Sequence, residues 1–138
     1  MFHRVLITTD GTAVVERVIL YAEHLARVEP AELLVLHAYE PPARYAGVPG
    51  YTELEAQFGA VAQAIVDEAV ATLRDDGFAA LGLVRAGVPG EAIVDAAREH
   101  NVDLIVMGMR SGNNLQAMLG SVSAYVLRHA PCPVLQIP

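Results

Sequence analysis

Short apolar, β-branched runs alternate with segments of helical periodicity along the whole chain, and this alternation decides the fold class. Arg4 to Thr9, Glu32 to Tyr39, Ala79 to Arg85, Asp103 to Met107 and Val134 to Ile137 read as strands. Between them the apolar spacing turns helical. The first helix follows a Thr12 cap and carries Val14, Val15, Val18, Ile19, Ala22, Leu25 and Ala26, until Glu29-Pro30 ends it. The second runs from Thr52 to about Asp76, with an expected stripe of Leu54, Phe58, Val61, Ala62, Ile65, Ala69 and Leu73. The third opens on Pro89, whose φ is already set for a helix start, and turns Ile93, Val94 and Ala97 inward. The fourth spans Leu119 to His129, stopped by Pro131-Cys132-Pro133. Alternation of this kind implies a parallel sheet with helices on both faces. The continuous apolar run Leu33 to Leu36 fits a strand covered on both sides.

The chain has 138 residues, which predicts one domain over 1–138 with a sizeable core. Its net charge of -7 argues against nucleic acid or an anionic membrane as default partner. No apolar run approaches the roughly 18 residues of a bilayer span. The single cysteine, Cys132, has no internal partner, and the start MFHRVLITTDG lacks a signal-peptide core. The expected location is the cytoplasm. His and Cys show no metal-ligand spacing, so no structural zinc is expected.

Chemistry is most concentrated between residues 101 and 123, NVDLIVMGMRSGNNLQAMLGSVS. A buried strand runs into a polar, glycine-bearing loop, and the loop reaches a helix start at Gly120-Ser121. Free N–H groups and the positive end of a helix dipole make such a layout receptive to phosphate. Open α/β sheets bind ligands beyond the carboxyl ends of their strands, where strand order reverses. That edge also collects Asp10, Ala38 and Gly87. The proline-rich segment Glu40 to Tyr51 is a loop and a candidate lid.

These residues resemble the universal stress proteins of the UspA type. The likeness rests on RVLITTDGT, LLVLHAYEPP, GVPGEAIVDAAREHNVDLIVMG and LGSVSAYVLRHAPCPVLQI, and it covers nearly the whole chain. It implies a Rossmann-like single domain with a five-stranded parallel sheet of order 3-2-1-4-5. It also implies a homodimer paired through the terminal strand, here Val134 to Ile137. One branch of the family binds ATP through Gly-x2-Gly-x9-Gly-Ser/Thr. Carried over, the resemblance assigns Gly108, Gly120 and Ser121 to the phosphates, Asp10 to the nucleoside and Ala38 to the adenine side. The implied ligand is ATP or another adenine nucleotide, with Mg2+ or Mn2+.

This chain departs from the motif in its middle. The step from Gly108 to Gly120 is one position short, and the available glycine is Gly112, giving Gly-x3-Gly-x7-Gly-Ser. The shortened loop leaves a second reading open, a family member that works through protein–protein contact without nucleotide. Individual residues also carry two readings. Asp10 is a ribose acceptor or the Asx residue of an Asp-Gly turn. Gly120-Ser121 grips phosphate, caps the last helix, or does both. Arg110 pairs with phosphate or is a solvated loop charge. Ser123 is a further phosphate contact. His37, on an apolar strand, reads as a hydrogen-bonded core histidine rather than an acid–base group. Cys132 reads as a small buried residue. No nucleophile elbow, Walker A sequence or His-x-x-x-His pair is present, so at most weak ATP hydrolysis is expected.

Overall fold

The structure, a computed structural model, describes residues 1–9, 14–108 and 120–138. Five strands form one parallel sheet: β1 (Arg4–Thr8), β2 (Glu32–Tyr39), β3 (Ala80–Ala86), β4 (Leu104–Gly108) and β5 (Val134–Ile137). Their order is β3-β2-β1-β4-β5, as the resemblance implies. The helices are α1 (Val14–Val28), α2 (Tyr51–Asp75), α3 (Pro89–Glu99) and α4 (Ser121–His129).

Side-chain alternation along the strands splits the core into two layers. Val5, Ile7, Leu33, Val35, Leu104 and Val106 pack with Val18 and Ala22 of α1 and with Val66, Val70 and Leu73 of α2. Leu6, Leu34, Leu36, Ile105 and Met107 face the other way, onto Ile93, Val94 and Ala97 of α3 and Val126 of α4. The expected inward residues of α3 are therefore buried, and Pro89 stands at the start of that helix. Gly77, with φ of 92°, closes α2, and its N–H donates to Arg74 O.

Two expectations about α2 need correction. Phe58 and Val61 are 38% and 61% exposed and do not belong to the core stripe. The buried face is Ala62, Val66, Ala69, Val70 and Leu73. Phe58 precedes the first buried residue of the helix, Ala62, in turns that are not yet covered. Val61 is next to Ala62 but about 100° round the helix from it, and so faces away from the sheet. The expected cap Thr12 and the helical start Leu119 lie outside the described residues. The segment between β2 and α2 winds through successive turns, among them Tyr45 N–H to Pro42 O and Val48 N–H to Tyr45 O, both at 3.0 Å.

The two edge strands differ. On β3, Ala79 O accepts from Leu33 N–H, so the next peptide carbonyl, that of Ala80, points out of the sheet. There the Arg74 fork holds it, with Nε at 3.1 Å and Nη2 at 2.8 Å. On β5, Pro133 O accepts from Ile105 N–H, so the peptide groups of Val134 and Gln136 face outward. No side chain among the described residues is bonded to them.

Candidate functional site

The carboxyl ends of β1 and β4 lie side by side, because β1 pairs with β4 on one flank and β2 on the other. This is where strand order reverses, since β2 and β3 fall on one side of β1 while β4 and β5 fall on the other. Beyond β1, Thr9 is 8% exposed and its N–H donates to Leu36 O at 3.0 Å. His37 is half-buried and its Nδ1 donates to the Thr9 carbonyl at 2.6 Å. The expected core histidine is hydrogen-bonded, but it is half-buried and belongs to neither core layer. Ala38 follows it near the end of β2, in register with Arg85 of β3. Gly108 is the last residue of β4, opposite Ile137.

The fourth helix begins at the same edge. Gly120 occupies the position before its first turn, with φ of -58° and ψ of 165°. Ser121 is the first helical residue and is exposed, while Ser123 is 6% exposed. The first intrahelical bond is Ala124 N–H to Gly120 O at 3.0 Å. Gly120, in the N-cap position, has no side chain to offer, and no side chain among the described residues caps this terminus. Ser121 thus does not act as an N-cap, and the N–H groups of Ser121, Val122 and Ser123 have no acceptor among the described residues. Among the described residues, nothing lies within 4 Å of a would-be Cβ at Gly120. An uncapped first turn behind an unobstructed glycine offers donors and room for an anion. Asp10, Arg110 and Gly112 lie outside the described residues.

The β3 end of the same edge has opposite chemistry. Arg85 is ion-paired with Glu99, so its charge is already matched. The Glu99 bond holds the guanidinium above its ordinary value, and the guanidinium in turn holds Glu99 below the usual carboxylate range. The cleft between β3 and α3 then presents Glu91 and Asp95, which disfavours phosphate. Among the described residues no group of three or more His, Cys, Asp or Glu could hold a metal ion. Burial pushes the Cys132 thiol up, and Cys132 packs against the α3–α4 core layer, which suits a packing role rather than a nucleophile. The tie from His37 to Thr9 carries no sequence signal beyond a histidine at the carboxyl end of an apolar strand, because its acceptor is a main-chain oxygen.

A doubly wound α/β sheet with an open helix terminus at its reversal point defines a Rossmann-like domain. The family model described as "Universal stress protein family" matches residues 1–138, and the chain belongs to that family. A universal stress protein of Thermus aquaticus is 38% identical over 141 residues, covering 99% of each chain. The universal stress protein UspA from Lactobacillus plantarum superposes with a TM-score of 0.84 at 25% identity, over 99% of this chain and 98% of its own. A universal stress protein solved in complex with cAMP superposes with a TM-score of 0.75 at 27% identity, over 99% of this chain and 96% of that one. Among the described residues, no helix is long and apolar enough to cross a membrane.

Proposed function

We propose that this chain is a cytoplasmic, homodimeric universal stress protein, one domain over residues 1–138, that binds ATP or a related adenine nucleotide and signals through it. The observation that carries this reading is the start of α4, uncapped among the described residues, on the carboxyl edge of a sheet whose strand order reverses between β1 and β4. The adenine class is supported by the similar protein whose structure holds cAMP. In this reading Ala38 lies against the base and Asp10 takes a ribose hydroxyl. Gly108, Gly112, Gly120 and Ser121 wrap the phosphates, with Arg110 and Ser123 as further partners. The donor set fits, since among the described residues the first-turn N–H groups have no acceptor and nothing crowds Gly120. Mg2+ or Mn2+ would enter with the phosphates and neutralise part of their charge. Binding would shift the population of loop conformers and so the surface shown to partners. Turnover is not part of this role.

Calorimetric titration with ATP-Mg2+ is expected to give saturable heat. No heat and no thermal stabilisation at millimolar ligand would remove the nucleotide from this reading. The alternative, a family member acting through protein contacts alone, draws on the loop being one residue short of the ATP-binding motif. If it is right, wild type stays silent and a glycine inserted after Met109 creates binding. Wild-type binding that the insertion leaves unchanged excludes it.

The dimer in this reading pairs Val134 to Ile137 of two copies, because the outward peptide groups of β5 seek partners. Gln136→Pro removes one outward N–H and leaves the inward ladder to β4 intact. Light scattering should then report a monomer of unchanged far-UV circular dichroism. A variant that remains a dimer would rule out this interface.

A further inference from the structure

Between the exits of β1 and β2 lies a contact that the strand ladder does not supply. Backbone pairing reaches Thr9 N–H, which donates to Leu36 O at 3.0 Å. Past that rung, the imidazole of His37 turns back and sets Nδ1 2.6 Å from the Thr9 carbonyl oxygen. A carbonyl only accepts, so Nδ1 carries the proton, and in the neutral ring Nε2 is the unprotonated nitrogen. The oxygen held belongs to the peptide joining Thr9 to the next residue. The residue after His37 is Ala38, on the neighbouring exit.

We infer that His37 is a positioning residue for the nucleotide site, clamping the exit of β1 to the exit of β2 and so setting the spacing between Ala38 and Thr9. This rests on the nucleotide reading above. Packing alone does not call for an imidazole here. The preceding positions Leu33 to Leu36 are all apolar and no more than 1% exposed, and an aliphatic side chain would continue that run. What the imidazole adds is a donor at one defined point.

Two variants separate donor from shape. Asn places an amide nitrogen on the same branch as Nδ1, and Leu copies that outline without a donor. In the free protein, His37→Leu should speed amide exchange of Thr9 about tenfold, and His37→Asn should largely restore protection. In titrations with ATP-Mg2+, His37→Leu should raise the dissociation constant about fivefold, with His37→Asn within about twofold of wild type. Far-UV circular dichroism and urea midpoints show that both variants are folded. Leu behaving as wild type in both measurements, or Leu and Asn losing affinity equally, would overturn the inference. If wild type itself takes no ATP-Mg2+, the nucleotide reading fails, and Thr9 exchange alone decides the clamp.

Discussion

Valine in place of Gly82 will lower the unfolding free energy by about 3 kcal/mol, seen as a shifted urea midpoint at unchanged slope. Gly82 is where α2 comes down directly on β3. A Cβ there would stand 2.4 Å from Val66 Cγ1 and 3.3 Å from Val70 Cγ2. Val66 is fully buried and β-branched, so it has neither empty space nor spare rotamers to yield into. The helix must lift, and its core face loses packing with it. Gly82→Ala should cost about 2 kcal/mol by the same cause. Adding Val66→Ala to that chain removes the colliding methyl groups, so the pair should couple by about 1 kcal/mol or more. Strictly additive losses would show that the two sites do not collide.

Glutamine in place of Glu23 will stabilise the protein by about 1.5 kcal/mol at pH 8 and change it little near pH 4. Glu23 of α1 is 4% exposed, and its Oε1 is buried with no partner among the described residues. Its Oε2 lies 3.4 Å from the Arg27 guanidinium, which is largely solvated and screened. Burial first, and then the neighbouring Asp76 carboxyl, raise the Glu23 pKa, and Arg27 opposes this less strongly. A folded value above the unfolded one means that protonation favours the folded state. That stability is complete below the unfolded value of about 4.3 and is lost as pH rises through the folded value. Gln resembles the protonated form and does not titrate, so it should pull ahead of wild type as pH increases. A difference that stays flat from pH 4 to pH 8, or that favours wild type at pH 8, would contradict the assignment.

The strands that could be read to the residue are β2 and β5. Each is a mostly apolar run with proline within two residues of either end, so boundary and pattern agree. Strand β3 was displaced by one residue in sequence, because an edge strand containing Ala80 and Gly82 has little apolar contrast to mark its ends. Phe58 and Val61 misled for a different reason. A 25-residue helix can carry apolar residues beyond its buried stripe, and periodicity does not say which set meets the strands. Val66 and Val70, the residues that contact β3, were absent from the expected stripe. Strand order came from family resemblance, since alternation alone predicts parallel pairing without a sequence of neighbours.

The placement of the candidate site's residues was legible where topology dictates position. Gly108 and Ala38 had to fall near strand ends, and Gly120-Ser121 had to open the last helix. The uncapped state of that helix was not legible, because Ser121 is a residue type that caps well and only the geometry puts it inside the first turn. The bond from His37 to Thr9 was equally hidden. It joins a side chain to a main-chain oxygen 28 positions away, and no residue pattern encodes such a partner.

The unequal borders of the sheet bear on how large any assembly could grow. Arg74 occupies the first outward carbonyl of β3, whereas the outward groups of β5 meet no side chain among the described residues. A sheet receptive on both borders would propagate, each added copy offering a fresh border to the next, as cross-β fibres do. With one border obstructed at its leading carbonyl, joining two copies through β5 consumes the receptive ends and leaves only obstructed ones outside. Growth by strand addition then terminates at a pair.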